Sequence, residues 1–133
     1  MHELLTGRVV MVSGAGGSIG SELCRQISRF EPERLILLDS SEFALYRIDE
    51  ELAQKCPSLV RSCWAGDVRD AERMAEIFAA EQPAVVFHAA AYKHVPLMEQ
   101  INAWQAVRTN ALGTGTLARA AQLAGVDKFV LIS

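Results

Sequence analysis

A glycine loop between two apolar segments constrains the fold of this chain more than any other feature. The loop follows the apolar run Val9–Val12, and its glycines Gly14, Gly17 and Gly20 are spaced three residues apart. A short β-branched run of this kind indicates a strand that is covered on both faces of a sheet. Glycines after such a strand allow a tight turn, and they let the next helix pack closely. The sequence therefore predicts a strand, a glycine turn and then a helix that ends at about Phe30.

The same loop is a candidate binding site for a diphosphate. Because the glycines carry no Cβ, a diphosphate can approach the main chain, and the free N–H groups that open the next helix, around Ser18 and Ile19, point at it. A glycine turn that binds no ligand is an open alternative, since the spacing G-x-x-G-x-x-G departs from the commoner G-x-G-x-x-G. A P-loop is disfavoured, because no Lys-Ser or Lys-Thr pair follows Gly20.

Asp39 supports the interpretation of the loop as part of a dinucleotide site. It ends the next apolar run, Leu35–Leu38, and an acid about 20 residues beyond the glycines is placed to accept hydrogen bonds from adenosine ribose hydroxyls. Such an acid favours NAD over NADP, because it would repel a 2′-phosphate. Arg47 is the nearest cation in the following helix, but its distance along the chain makes it a weak phosphate partner, so NADP is the second choice.

Five apolar runs alternate with four helical patterns. The strands are expected at about residues 9–12, 34–38, 59–64, 84–88 and 128–132, and the helices at about 18–30, 41–56, 71–81 and 98–124. This alternation predicts right-handed crossovers and an α/β, Rossmann-type, doubly wound parallel sheet of order 3-2-1-4-5. Ligands bind such sheets at the carboxyl ends of the strands, where the glycine loop and the loop Ala89–Lys93 are expected to face each other. Asp67 follows the third strand, either near an adenine or as a loop carboxylate that binds nothing.

Composition excludes several classes of protein. The chain has 133 residues and a net charge of −3, which gives no electrostatic footprint for nucleic acid. No uninterrupted apolar run is long enough to span a membrane and no signal peptide is visible, so we expect a cytoplasmic location without membrane contact from this segment. The cysteines Cys24, Cys56 and Cys63 are odd in number and lack metal-ligand spacing. We therefore expect reduced thiols and no metal site.

Four motifs carry a resemblance to a known family. They are Ser13–Leu23, Gly66–Asp70, His88–Pro96 and Val107–Thr114. Together they resemble the extended short-chain dehydrogenase/reductases and, within them, the CapD-like polysaccharide-biosynthesis branch of the UDP-N-acetylglucosamine 4,6-dehydratases. The likeness covers nearly the whole chain, and the string Ala-Ala-Ala-Tyr-Lys-His-Val-Pro, which starts at Ala89, is much more specific than the glycines.

The resemblance implies a role for each matching residue. It implies cofactor contacts at Gly14, Gly17, Ser18, Ile19 and Gly20 for the pyrophosphate, Asp39 for the ribose, Asp67 and Val68 for the adenine, and Ala89, Ala90, Ala91 and Lys93 on the nicotinamide side. It also implies that Lys93 and His94 face the substrate pocket and that Asn110 braces the fourth helix. On the residues alone, a solvated Lys93 and a packed His94 stay open, and Asn110 is more readily structural than catalytic.

The resemblance further implies an activity for the intact enzyme. An NAD(P)-dependent UDP-sugar 4,6-dehydratase, a lyase of surface polysaccharide biosynthesis, passes a hydride from sugar C4 to the nicotinamide, loses water across C5 and C6, and returns the hydride to C6. We expect a UDP-sugar as its substrate and a homo-oligomer as its assembly. A nucleotide-sugar epimerase of the same superfamily and a non-catalytic nucleotide-binding module are the alternatives.

The length of the chain limits what the resemblance predicts. In the family a Thr-Asp-Lys sequence follows the fifth strand directly, a Tyr or Met with a downstream Lys comes later, and these groups carry proton transfer. This chain stops at Ser133, one residue before they would begin, so no catalytic residue is named. Residues 1–133 are therefore expected to be an incomplete NAD(P)-binding domain, truncated after the fifth strand, without the catalytic loop and substrate domain, and inactive alone. Such truncation predicts an apolar edge that self-associates, or a disordered last strand. Transmembrane segments often precede this domain in the family, which makes the parent protein a candidate for an inner-membrane anchor.

Overall fold

The computed structural model describes residues 2–89 and 114–132. The strands are β1 (Val9–Ser13), β2 (Arg34–Asp39), β3 (Arg61–Ala65), β4 (Val85–His88) and β5 (Lys128–Leu131). The helices are α1 (His2–Leu5), α2 (Ser18–Ser28), α3 (Glu42–Lys55), α4 (Ala71–Glu81) and α5, of which residues 114–123 are described. All neighbouring strands are parallel and lie in the order β3-β2-β1-β4-β5, so the predicted topology is confirmed.

Helices cover both faces of the sheet, which explains why the central strands are continuous apolar runs rather than alternating ones. On one face α2 and α3 pack against the strands through Val10, Val12, Ile27, Leu35, Leu37, Leu45, Ile48, Leu52, Val85 and Phe87. On the other face α4 and α5 pack through Met11, Ile36, Leu38, Met74, Ile77, Phe78, Val86, Leu117 and Ala121. The two clusters hold the ends of β1, β2 and β4 in fixed relative positions.

Side-chain caps and a glycine set the ends of three helices close to the ranges that the sequence predicts. Ser41 Oγ accepts a hydrogen bond from Ala44 N at 3.1 Å and begins α3. Asp70 Oδ1 accepts from Arg73 N at 3.1 Å and begins α4. Gly125 follows α5 with φ +76°, the left-handed conformation that ends many helices.

Two predicted boundaries are wrong by two residues. The helix α2 ends at Ser28 rather than Phe30, because Phe30 N bonds to the carbonyl oxygen of Ile27, three residues back, in a tighter final turn. The strand β3 begins at Arg61 rather than at residue 59, because Leu59 N closes a turn onto Cys56 O at 3.0 Å. The predicted helix over residues 98–124 lies outside the described residues as far as residue 113.

The segment before the first strand forms the four-residue helix α1, for which the sequence gives no prediction. One turn is too short to carry a periodic pattern, but Leu5 is fully buried and anchors it to the core. Gly7 has φ +71° and forms the turn into β1. No helix in the described parts of the chain is long and apolar enough to cross a membrane.

The strand β5 is the outermost strand of the described sheet. It pairs with β4, and Leu131 leaves 54% of its surface exposed. Since residues 128–131 form a regular strand, the expected disorder of the last strand is not seen. Self-association through this edge stays a prediction, which light scattering at increasing protein concentration tests.

Candidate functional site

The glycine loop lies where β1 meets the ends of β2 and β4. Gly14 has φ +73°, a conformation that glycine adopts without strain. Ala15 N donates to Leu38 O at 3.1 Å, and Ala89 N donates to Ser13 O at 3.0 Å. The loop is therefore fixed on both sides at the point where the strand order reverses, which is the place where open α/β sheets bind ligands.

The glycines of the loop differ in why they must be glycines. A Cβ at Gly20 would overlap the Gly14 carbonyl, and a Cβ at Gly16 would overlap Ala44 of α3. At Gly17, among the residues that the structure describes, a Cβ would reach only the Gly14 oxygen, at 3.4 Å, which is ordinary contact. Packing inside the protein thus requires glycine at 16 and 20, whereas at 17 the protein itself leaves room for a methyl group. The sequence analysis missed Gly16, because it breaks the three-residue spacing.

Asp39 lies on the same rim of the sheet as the glycine loop and is bonded to it. Its Oδ2 accepts from Gly16 N at 2.8 Å, and its Oδ1 accepts from Ser41 N at 2.9 Å. Its backbone oxygen accepts from Gly66 N at 3.0 Å, which links the ends of β2 and β3. A carboxylate oxygen accepts more than one hydrogen bond, so Asp39 keeps capacity for ribose hydroxyls while it tethers the loop.

The start of α2 differs from the starts of α3 and α4. Its N-cap residue is Gly17, which has no side chain to cap the helix, whereas Ser41 and Asp70 cap the other two helices with their side chains. The first-turn N–H groups of a helix have no partner within the helix. Those of Ser18 and Ile19 are therefore not capped by the N-cap side chain and suit anionic oxygens.

Asp67 and Val68 follow β3, at the same end of the sheet. The Asp67 carboxylate accepts from Arg69 N at 2.8 Å and pairs with Arg69 Nη2 at 2.7 Å. These hydrogen bonds from the Arg69 side chain and backbone lower the pKa of Asp67. Val68 is half-buried and packs against the cluster under α4 and α5. Both residues are on the rim that the sequence predicts, and their contact with an adenine stays a prediction.

The nicotinamide side of the predicted site is described only in part. Ala89 is buried, with 7% of its surface exposed, directly after β4. Ala90, Ala91, Lys93, His94 and Asn110 lie outside the described residues. Their predicted roles stay predictions.

His88 is a buried polar residue of this region that the sequence analysis did not single out. Its Nδ1 lies 2.5 Å from Ser13 Oγ and its Nε2 lies 3.0 Å from Thr114 Oγ1. Desolvation lowers the pKa of His88, so the imidazole is neutral at pH 7. The sequence does mark His88, because it is the polar last residue of the otherwise apolar strand β4.

An open groove of about 650 Å³ lies beside the glycine loop, between α2 and α3. Gly16 and Gly17 line it from the loop, and Arg47 lines it from α3. The Arg47 guanidinium stacks 5.9 Å from the centre of the Phe43 ring. Arg47 is therefore nearer to the loop than its distance along the chain suggests.

Comparison with known proteins gives this geometry a family. A family model described as polysaccharide biosynthesis protein matches residues 10–133. The chain belongs to this family. Within the polysaccharide biosynthesis family, capsular polysaccharide biosynthesis protein CapD of Staphylococcus aureus is 45% identical over 97% of the chain. The probable polysaccharide biosynthesis protein EpsC of Bacillus subtilis is 46% identical, also over 97% of the chain. The chain spans 22% of the length of each.

More distant relatives carry enzyme names. An inverting UDP-N-acetylglucosamine 4,6-dehydratase of Campylobacter jejuni is 28% identical over 98% of this chain and 37% of its own. The solved UDP-Glc/GlcNAc 4-epimerase of Campylobacter jejuni superposes with a TM-score of 0.80 at 26% identity, over 94% of this chain and 36% of that one. The solved UDP-glucose-4-epimerase of Stenotrophomonas maltophila with bound NAD superposes with a TM-score of 0.76 at 27% identity. This match covers 93% of this chain and 36% of that one. These matches confirm the predicted Rossmann-type fold and the resemblance to extended short-chain dehydrogenase/reductases.

Proposed function

We propose that this chain is the NAD-binding part of a nucleotide-sugar-modifying enzyme of polysaccharide biosynthesis. For the whole protein we propose the activity of a UDP-N-acetylglucosamine 4,6-dehydratase. In this proposal residues 1–133 are one NAD(P)-binding domain, and the groups that transfer protons belong to the rest of the parent protein. A UDP-sugar is the proposed substrate, and a homo-oligomer in the cytoplasm is the proposed assembly.

The observation that carries the proposal is the glycine loop with its uncapped helix. At Gly17 the fold tolerates a Cβ, yet the residue is glycine, and the N–H groups that follow have no cap from its side chain. Both features suit the approach of a diphosphate to the main chain. The residues present therefore fit NAD, with the loop Gly14–Gly20 for its diphosphate, Asp39 for its ribose and Asp67 with Val68 for its adenine. When bound, the nicotinamide supplies a hydride acceptor.

Asp39 supports NAD rather than NADP. Its carboxylate can accept from a 2′-hydroxyl, and its negative charge would repel a 2′-phosphate. The position of Arg47 in the groove beside the loop makes NADP the second candidate. Titration with both cofactors separates them. We expect tighter binding of NAD, whereas tighter binding of NADP that is lost in Arg47→Gln would overturn this choice.

Gly17→Ala tests cofactor binding without disturbing the fold. The added methyl group makes only ordinary contact with the described residues, so we expect a loss of melting temperature no larger than the cost of alanine at an N-cap. The same methyl would stand where a diphosphate approaches, so we expect the NAD dissociation constant from calorimetry to rise at least about tenfold, which is 1.4 kcal/mol.

Gly115→Ala is the matched control for that variant. It adds a methyl group at an exposed position of α5, where no atom of the described residues lies within 4 Å of it, and NAD binding should not change. Absence of NAD binding by the unmodified chain, or equal affinities of the unmodified and Gly17→Ala chains, would contradict the proposal.

The reaction of the whole protein is tested with the parent protein and UDP-N-acetylglucosamine. Two observations favour the dehydratase. The relatives include polysaccharide biosynthesis proteins and a dehydratase, and the chain carries the string Tyr92–Pro96, which the epimerases usually lack. The structural likeness to two epimerases keeps epimerisation as the second candidate. We expect a 4-keto-6-deoxy sugar in the NMR spectrum. A C4 epimer would indicate the epimerase, and NAD binding without turnover would indicate a nucleotide-binding module.

A further inference from the structure

A buried histidine joins three segments of the chain behind the glycine loop. Ser13 is the last residue of β1 and directly precedes Gly14, while His88 is the last residue of β4 and directly precedes Ala89. Thr114 is the first described residue of α5. The imidazole is within hydrogen-bonding distance of Ser13 Oγ through Nδ1 and of Thr114 Oγ1 through Nε2. The proposed cofactor contacts use none of these three side chains.

The chemistry of the three groups makes His88 a connector rather than a base. Ser13 and His88 have no exposed surface, and the described contacts of the imidazole are two hydroxyl groups and the Phe129 ring, 6.3 Å away. A neutral imidazole donates from one nitrogen and accepts at the other, and each hydroxyl can do either. The three groups therefore satisfy one another without a charge.

Strand pairing alone does not require this connection. Ser13 and His88 are already neighbours in the parallel register of β1 and β4, and Ala89 N donates to Ser13 O at 3.0 Å. The contact with Thr114, 26 residues along the chain, is different, because it ties the end of β4 to a helix. The imidazole thus links the strand that leads into the glycine loop to α5.

We infer that His88 is a positioning residue for the dinucleotide. It fixes the glycine loop, the start of the Ala89 loop and α5 relative to one another, so that the cleft has its binding geometry before the cofactor arrives. A preformed site loses less free energy on binding than one that must be ordered. The inference rests on the proposed binding of NAD.

The test separates the hydrogen bond between His88 and Ser13 from the one between His88 and Thr114. An asparagine side chain can place a nitrogen near the position of Nδ1 but not of Nε2, so His88→Asn keeps a partner for Ser13 and loses the one for Thr114. Thr114→Val loses the same contact from the other side, and Thr114→Ser keeps the hydroxyl group. NAD dissociation constants and melting temperatures are measured for the unmodified chain, the three variants and the double variant His88→Asn/Thr114→Val.

Loss of one buried hydrogen bond is expected to weaken NAD binding about 5- to 10-fold in Thr114→Val and in His88→Asn. The double variant should bind no more weakly than either single variant, because both remove one contact. Thr114→Ser should bind within about twofold of the unmodified chain, which a purely apolar packing role of Thr114 would not explain. Glu81→Gln, at the opposite end of the sheet, is the control that lowers stability without touching the cleft.

Three results would overturn the inference. Equal NAD affinity of Thr114→Val and the unmodified chain would remove the role of His88 and leave the proposed function intact. A loss of affinity in Glu81→Gln as large as that in Thr114→Val would make the effect one of general stability. Failure of the unmodified chain to bind NAD would overturn the proposed function, and the role of His88 with it.

Discussion

The two ends of the sheet use carboxylates in different ways. At the carboxyl end, Asp39 accepts two backbone N–H groups beside a helix whose first turn has no side-chain cap. At the amino end, Glu81 of α4 is enclosed by side chains from β2 and β3 and leaves 12% of its side chain exposed. The first arrangement leaves hydrogen-bonding capacity for a ligand, whereas the second uses that capacity within the protein. The two carboxylates thus differ by their position relative to the strand ends: Asp39 keeps free hydrogen-bonding capacity, whereas Glu81 uses its capacity within the protein.

Three side chains of the described residues donate hydrogen bonds to Glu81. Arg34 Nε lies 2.9 Å from Oε1, and Ser62 Oγ and Trp64 Nε1 lie 2.8 Å and 2.7 Å from Oε2. Burial alone would raise the pKa of Glu81, but the hydrogen bonds from Trp64 and Ser62 and the charge of Arg34 outweigh it, and the pKa is lowered. The ionised carboxylate therefore stabilises the folded state at neutral pH.

The largest effect is expected at the carboxyl end, from Gly20→Ala. The added Cβ would overlap the Gly14 carbonyl, which is backbone and cannot turn aside. Overpacking of this kind costs typically 1–3 kcal/mol and occasionally more, and we expect about 3 kcal/mol in the free energy of unfolding from urea titration. NAD affinity should fall as well, because the loop must move. Unchanged stability of Gly20→Ala, alongside a destabilised Gly17→Ala, would reverse our ranking of the two glycines.

Glu81→Gln tests the amino end. We expect a loss of about 2 kcal/mol at pH 7, since hydrogen bonds to a charged group are removed or weakened, and no change in NAD affinity. Because the folded-state pKa is lowered, the contribution of Glu81 is complete above the unfolded-state value of about 4.3 and is lost as the pH falls through the folded-state value. The difference in free energy of unfolding between the unmodified chain and Glu81→Gln should therefore become smaller as the pH falls. A difference that is constant from pH 7 to pH 3 would contradict the assignment.

Asp70→Ala asks whether every polar group at the carboxyl end serves binding. Asp70 caps α4 through Arg73 N, so its hydrogen bond is already made within the protein. We expect about 1 kcal/mol less stability from thermal unfolding, the usual cost of a lost cap. NAD affinity should stay within about twofold, and a larger change would extend the binding rim to this residue.

The smallest effect is the pH dependence from His88. Burial lowers its pKa in the folded state, so the unfolded chain takes up a proton at higher pH, near 6.5. The free energy of unfolding should therefore decrease as the pH falls below about 6.5, by less than 1.4 kcal/mol per pH unit. His88→Gln should remove this contribution to the pH dependence of the free energy of unfolding between pH 7 and pH 5.5. An identical slope in both chains would mean that His88 does not contribute to it.

Most of the fold could be predicted because the central strands β1, β2 and β4 are continuous apolar runs with a clear stop. The strand order follows from the alternation with helices, and the caps Ser41 and Asp70 follow from local chemistry. The errors lie where short-range hydrogen bonds decide. The final turn of α2 and the turn at Leu59 depend on which carbonyl an amide reaches, and α1 depends on the burial of Leu5.

The candidate site could be predicted only in outline. Asp39 and the glycine loop were expected on one rim, because both follow neighbouring parallel strands. The direct bond from Gly16 to Asp39 could not be predicted, since it depends on how closely α3 approaches the loop. The contact of His88 with Thr114 joins residues far apart along the chain, and no local pattern marks such a pair.

The close approach of Gly16 to Ala44 has a consequence for redesign of cofactor preference. Changes toward NADP would usually be made at the end of β2 and the start of α3, near Asp39. Here the same stretch also supports the glycine loop, because Asp39 bonds to Gly16 and Ala44 leaves no room for a larger neighbour. A designer who replaces Asp39 has to supply a new acceptor for the Gly16 amide and leave Ala44 unchanged. Selectivity and loop geometry therefore have to be engineered together.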